Sequence, residues 1–450
     1  MKYLKWGLLA IVAGVCAIVY VNYPKLNIIS GYAAKNMAST VFIAHRKAAD
    51  INSNDHNVPL IRLAETNSEH GGTEASATVF GLMERKAVCD QGFGCVLLPE
   101  GKGSLNRQSR PHRNVNGDSL NFPFGNGEVA DSLFAEVDYA LLEKAIDQAF
   151  SDNDRQRTRT VLVAYKNHLL AERYSEGFDK DTPILGWSMT KSILATLYGI
   201  LEYQGRISVS SKAPVPLWQN DSRKEISLGN LLRMQSGLAW DEDYTRISDV
   251  TRMLFLEEDM PKVQMEKEAV APPGELWNYS SGTSNLLSGI LRSILVSYQD
   301  YLDFPYATLI DKIGMNSMLI ETDMAGNFVG SSYGWASTRD WCKFGLLYLN
   351  GGNWNGEQIF SPEWVDYVTR PTQHSGDRYG AHFWLNAGGI YPDVPRDLYS
   401  ANGYQGQFVF IIPSRDLVIV RTGLAEYPDF DINTFLKMVV ASIKAPGQGS

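Results

Sequence analysis

Apolar and polar positions divide the chain into three regimes. Lys2 and Lys5 lead into an unbroken apolar run from Trp6 to Val21. From Asn22 to about Phe134 the pattern is mixed: polar from Asn52 to Ser76, then apolar over Thr78 to Met83 and Val96 to Leu98. Gly101 to Ser119 is rich in Gly, Ser, Asn and Arg and reads as a loop. From Ala135 the periodicity becomes regular. Leu141 to Phe150 has helical spacing, and Thr160 to Tyr174 reads as a hairpin turning at Lys166-Asn167-His168. Ser188 to Gln204 predicts a strongly apolar helix ended by Gly205. Helices follow over Leu228 to Met234, Asn285 to Val296 and Thr338 to Leu349, the last with Ser337 as cap. Strands return at Phe383 to Asn386, Gln407 to Ile412 and Leu417 to Thr422, and Asp431 to Lys444 closes as a helix. Strands at both ends of a helical middle predict an α+β fold whose sheet joins distant parts of the chain.

The opening run is near the lower limit of about 17 residues for a spanning helix and slightly long for a signal core of roughly 7–15. Asn22-Tyr23-Pro24-Lys25 follows it in place of a small-residue cleavage site, and Gly31-Tyr32-Ala33 lies far downstream. The favoured reading is an uncleaved anchor; the other is a signal that is removed, which would leave the protein secreted. Either reading exports the remainder, with Lys2 and Lys5 left in the cytoplasm. In a bacterium that places the bulk of the chain in the periplasm.

Composition narrows the function little. The 450 residues carry 41 Lys plus Arg against 50 Asp plus Glu, a formal charge of −9, with 44% apolar residues. That is globular and mildly acidic, with no basic block to neutralise phosphates, so nucleic acid is not a partner. No histidine or cysteine spacing suggests a metal, and no cofactor is implied. Cys89 and Cys95 bracket a flexible Asp-Gln-Gly-Phe-Gly loop, which fits either a disulfide or two unpaired buried thiols. Cys342 reads as a core residue.

Candidate chemistry centres on Ser188-Met189-Thr190-Lys191 at a helix start. A serine hydroxyl needs a neighbouring base, and Ser and Lys three apart share one helical face. The apolar flanks, Trp187 before and Ser192 to Leu197 after, predict a desolvated lysine able to act as that base. Free N–H groups at the helix start suit an oxyanion. Tyr279-Ser280-Ser281 supplies a phenol that could shuttle a proton. Gly403-Tyr404-Gln405-Gly406-Gln407 runs into a strand, where the Gln407 N–H could be a second oxyanion donor. Trp187, Trp240, Tyr244 and Trp384 are candidate pocket walls. A rival serine, Ser332, sits in Gly330-Ser331-Ser332-Tyr333-Gly334, but its helix begins late and His374 and His382 lack persuasive surroundings.

Together, Ser188-x-x-Lys191, Tyr279-Ser280-Ser281 and Tyr404-Gln405-Gly406 resemble the serine β-lactamase and penicillin-binding-protein superfamily. The nearest branch is the class C-related hydrolases: 6-aminohexanoate-dimer hydrolases and family VIII carboxylesterases. Ile184 to Ser192, Leu231 to Leu238, Gly334 to Asp340, Asn350-Gly351-Gly352 and Ser361-Pro362-Glu363-Trp364 carry the likeness from about Phe134 to Lys444. The resemblance implies an antiparallel sheet flanked by helices plus an all-helical lobe. With the apolar start set apart as residues 1–23 (anchor or signal), it implies a division of the rest into 24–133 (N-terminal extension) and 134–450 (hydrolase domain). It also implies Ser188 as nucleophile, Lys191 and Tyr279 as proton handlers, and the Ser188 and Gln407 N–H groups as oxyanion hole. Ser281, Tyr404, Gln405, Gly406 and Trp187 would meet the substrate. Tyr404-Gln405-Gly406 stands where β-lactamases have Lys-Thr-Gly, which removes the partner of a β-lactam carboxylate. A short linear amide or ester is therefore the expected substrate. A β-lactamase or D-amino-acid peptidase is the alternative within the class, and an inactive envelope-binding protein the alternative outside it.

Overall fold

The apolar start does not end near Tyr23. In the computed structural model, which describes residues 2–69, 72–99, 105, 109–115, 120–130 and 132–444, it continues as one helix, α1 (Lys2–Phe42), through Pro24. Most of the Gly101 to Ser119 loop lies outside the described residues. The outer part of α1 exposes Trp6, Leu8, Leu9, Ile11, Val15, Ile18 and Tyr20, each by more than half. From Ile29 on, the helix is packed: Ala33, Ala34, Met37 and Ala38 are fully buried. Gly31, Ala33, Ala34 and Ala38 let the helix lie close to the sheet: a Cβ on Gly31 would stand 3.2 Å from Leu97.

That sheet has the order β1 (Ala64–Ser68), β2 (Glu74–Val79), β3 (Leu82–Asp90) and β4 (Gly94–Leu97), antiparallel throughout. Ala77 packs on Ala33 and Ala34, and Ala75, Ala87 and Cys95 pack on Met37 and Ala38. Cys89 and Cys95 face each other in register on β3 and β4 and form a disulfide. The helix Asp249–Leu256 completes this unit: Arg85 donates to the Phe255 carbonyl at 2.8 Å and to Leu98 at 2.9 Å.

The second unit comprises Arg107–Trp240, Met260–Thr322 and Gly326–Ser450. Its elements are α2 (Tyr139–Phe150), β5 (Thr158–Tyr165), β6 (His168–Tyr174), α3 (Thr190–Tyr203), α4 (Ser281–Ile294) and α5 (Thr338–Leu349). Then come β7 (Trp384–Leu385), β8 (Tyr399–Gly403), β9 (Gln407–Ile412), β10 (Leu417–Gly423) and α6 (Ile432–Ala441). Strands run β7-β8-β9-β10-β5-β6, all antiparallel. The sheet thus pairs β10 with β5, two segments about 250 residues apart. One face is covered by α2 and α6: Phe408, Phe410, Ile419 and Val163 meet Leu142, Ile146, Phe435 and Val439. On the other face α5 lies so close that a Cβ on Gly345 would stand 2.6 Å from Val418 and 2.8 Å from Val409. Burial on both faces explains the near-continuous apolar runs of β9 and β10.

Element boundaries shift mainly where polar residues cap. The helix expected from Asn285 starts a turn earlier, because the Ser280 hydroxyl accepts from the Thr283 N–H at 2.9 Å. The helix expected from Ser188 opens as a tight 3-10 turn, Trp187–Met189, before α3. Of Phe383 to Asn386 only Trp384 and Leu385 pair. Cys342 is buried in α5.

Gly345→Val should cost about 1–3 kcal/mol by overpacking the sheet against α5. A urea denaturation midpoint unchanged from wild type would contradict this packing.

Candidate active site

Two close backbone approaches build the turn that carries Ser188. A Cβ on Gly186 would lie 2.3 Å from the Trp341 ring, and one on Gly403 would lie 2.0 Å from the Gly186 carbonyl. The end of β8 therefore rests directly on the turn. Trp187 then takes a left-handed φ of 47°, a conformation disfavoured for an aromatic residue. Edge-on packing against Tyr404 (5.7 Å between ring centres) and Tyr333 (6.3 Å) holds it there. Ser188 follows, partly exposed.

One turn later Lys191 is buried, only 1% exposed. Its Nζ lies 2.9 Å from Ser188 Oγ, 3.0 Å from Ser281 Oγ and 2.9 Å from the Ser331 carbonyl. Three chain segments therefore meet at one nitrogen. The Ser331 carbonyl can only accept, so it takes one N–H. The Ser188 contact serves two protonation states: an ammonium donates to Oγ, whereas a neutral amine accepts the Oγ proton. α4 fixes the carbonyl, since Asn285 Oδ1 accepts from the Ser331 N–H at 3.1 Å.

Tyr279 precedes the α4 cap, and its ring centre lies 4.9 Å from Lys191 Nζ. Trp384 and Tyr379 flank that ring at 5.4 and 5.7 Å. Trp240 packs on Gly282, where a Cβ would come within 2.4 Å of the indole. Tyr244, in contrast, belongs to the first unit and is exposed.

The β8–β9 turn is tied down from behind. The Gln405 N–H, at φ 63°, donates to Glu426 Oε1 at 2.6 Å. Arg421 donates to the Gly406 carbonyl at 2.8 Å and to Ala425 at 2.9 Å. The Gln407 amide donates to Gly423 O at 2.6 Å and accepts from Gly423 N–H at 3.2 Å. Burial pushes Arg421 down to about 9 and pushes the Tyr404 phenol up, the latter helped by Glu426.

The structure thus brings Ser188, Lys191, Tyr279 and Ser281 together, with Trp187 and Tyr404 packed edge-on beside them. Ser281 is fully buried and turned to the lysine. Ser332 is buried too, its hydroxyl bonded to Ser331 at 2.8 Å. The motif around it contributes the neighbouring carbonyl instead. His374 is exposed. His382 is buried: Nδ1 lies 2.6 Å from the Leu232 carbonyl and Nε2 lies 2.9 Å from Ser284 Oγ. A carbonyl only accepts, so Nδ1 carries a proton, which leaves Nε2 able to accept from the Ser284 hydroxyl in a neutral ring. The sequence reading missed the Ser331 carbonyl, Tyr379, Glu426 and Arg421. For Arg421 a signal existed: a lone cation inside the apolar run Leu417 to Thr422 needs buried partners.

Burial, with Lys191 adding to it, pushes His382 down to about 3. The unfolded chain therefore binds a proton near pH 6.5 that the folded chain refuses, so stability falls as pH drops from 6.5 towards 3. His382→Gln should flatten the fall in urea midpoint between pH 6.5 and 5, worth about 2 kcal/mol in wild type. An equally steep fall in the variant would contradict a buried neutral imidazole.

Comparison with known proteins places this site in context. The family described as Beta-lactamase matches residues 145–435, well over half of the chain. A 6-aminohexanoate-dimer hydrolase from Paenarthrobacter ureafaciens is 24% identical over 300 residues, covering 61% of this chain and 74% of that protein. A Bacillus anthracis structure provisionally named a 6-aminohexanoate-dimer hydrolase superposes with a TM-score of 0.55 at 21% identity, over 66% of this chain and 80% of that one. A family VIII carboxylesterase superposes with a TM-score of 0.51 at 16% identity, over 70% and 99%. The α+β fold, its antiparallel sheet covered by helices, is that of the β-lactamases. The chain belongs to the Beta-lactamase family, within the serine hydrolase superfamily of that name.

Proposed function

We propose that this protein is a serine hydrolase that cleaves a short linear amide or ester through an acyl-enzyme on Ser188. The observation that carries the reading is the single buried nitrogen of Lys191 bonded at once to Ser188 and Ser281, with the Tyr279 ring beside it. Ser188 Oγ attacks the substrate carbonyl, and its proton passes to the Lys191–Tyr279 pair. The oxyanion rests on the Ser188 and Gln407 N–H groups. Collapse breaks the bond to the leaving amine or alkoxide, which takes the proton from Tyr279. Water, activated by the same pair, then attacks the acyl carbonyl and releases the acid and Ser188.

What lines the site supports this choice of substrate class. Gln405 occupies a position where a β-lactamase presents threonine, and Tyr404 one where it presents lysine. Aromatic rings of Trp187, Tyr279, Trp384 and Tyr404 offer flat apolar walls to an extended chain. The kinship with a 6-aminohexanoate-dimer hydrolase and a family VIII carboxylesterase points the same way.

The same reading puts the enzyme on the outer face of a membrane, held by an uncleaved α1. Cleavage at Gly31-Tyr32-Ala33 would remove Ile29, which is buried, and Ala33, which packs on Ala77 of the first unit's sheet. The Cys89–Cys95 disulfide fits an oxidising compartment.

A fluorophosphonate probe should label the wild type and not Ser188→Ala; equal labelling of both would refute the nucleophile. Lys191→Ala and Tyr279→Phe should each lower turnover by about 10²–10⁴ with melting temperature nearly unchanged. Near-normal rates in either would remove it from the mechanism. Across nitrophenyl esters, short linear amides and a chromogenic cephalosporin, kcat/KM should be lowest for the cephalosporin. The reverse order would favour a β-lactamase.

A further inference from the structure

The register of the first unit sets its edges against α1. Ala77 packs on Ala33 and Ala34, while Ala75 packs on Met37 and Ala38. Two residues of strand, about 6.6 Å, thus match four residues of helix, about 6 Å. β2 therefore runs from Glu74 to Val79 towards the N-terminal, apolar end of α1. One further step of the same size would reach from Val79 to about Ile29, and both are buried. The β2–β3 turn, Phe80-Gly81, lies one step further, where the helix becomes exposed at Tyr23 and Lys25.

That edge is apolar. Phe80 is 68% exposed and Leu82 46%. Ala64 pairs with Val79, so the segment entering β1 reaches the same edge, and its Leu60 and Leu63 are exposed too. Arg62 stands exposed between them. The first acidic residue on β1, Glu65, pairs with Thr78, one place further from the turn. Phe80 is doubly costly where it sits. Phe80 and Gly81 both have positive φ, 54° and 68°, the turn in which Asn-Gly or Asp-Gly is preferred. A phenylalanine there is strained and leaves its ring in water. Four exposed apolar side chains with a nearby cation, on the edge next to an exposed apolar helix, suit an interface of headgroups and acyl chains.

We propose that the edge formed by Leu60, Leu63, Phe80 and Leu82 seats in the lipid surface that α1 enters, so that the first unit is held to the membrane at two places. This rests on the reading of α1 as a retained anchor.

The test uses the full chain with Cys16→Ser and Cys342→Ala, the disulfide kept, in phosphatidylcholine–phosphatidylglycerol vesicles. An environment-sensitive fluorophore is attached at Phe80→Cys or, as control, at Glu74→Cys, about 16 Å along the strand from Val79. Doxyl-labelled lipid should quench the label at 80 at least about two-fold more than the label at 74. Equal quenching in protein that floats with the vesicles would overturn the lipid seat and leave the anchor standing. Protein that fails to float would overturn the anchor and the seat with it. Shielding of position 80 in detergent without lipid, growing with protein concentration, would overturn the seat in favour of a second copy of this chain.

Discussion

Everything around the site depends on keeping one amine out of water. A lysine nitrogen with almost no exposure is tolerated only where polar partners replace its hydration, since a buried polar group or charge left without them costs several kcal/mol. Here the partners come from three places that are distant in sequence: Ser188 on the turn before α3, Ser281 at the head of α4, and the Ser331 carbonyl. None of the three is useful to the lysine alone. The packing of α3 against α4 and the turn through Ser331 is therefore what makes a reactive amine possible. The same arrangement delivers one of the amine's contacts to a partly exposed hydroxyl.

A second constraint acts from the sheet. β8 ends on the serine turn with contacts that exclude any side chain at Gly186 or Gly403. The β8–β9 turn beyond it is held by three side chains: the Arg421 guanidinium, the Glu426 carboxylate and the Gln407 amide. Such holding is what an oxyanion site needs, because donors help only when already aimed. A flexible turn would spend binding energy on its own ordering.

Legibility in the sequence tracked the range of the interaction. Ser188 and Lys191 are one helical turn apart, and their proximity follows from helix geometry alone. α5 was legible at its full length because helical periodicity and a Ser337 cap coincide there, and β9 because its apolar run lies between Gly406 and Pro413. Tyr279 and Ser281 were legible through family likeness. The Ser331 carbonyl was not, because a backbone oxygen leaves no residue-type signal. Ser332 drew attention instead, through a spacing that belongs to another fold. α1 was cut short for a different reason. The Gly31 to Ala38 stretch has no apolar stripe of ordinary width, and its helicity is fixed by a sheet lying against small residues.

Backbone strain follows one logic in each of the two units. Trp187 and Gln405 take positive φ where the chain bends around the proposed acyl site, and Leu60 and Phe80 do so on the apolar edge. Each would be easier as glycine or asparagine, at a gain of about 1 kcal/mol or more in the folded chain. The site residues are compensated internally: Trp187 by two aromatic neighbours, Gln405 by Glu426. Leu60 and Phe80 instead expose apolar side chains, and the exposed apolar half of α1 suits the same surroundings. A lipid surface satisfies both demands with one medium.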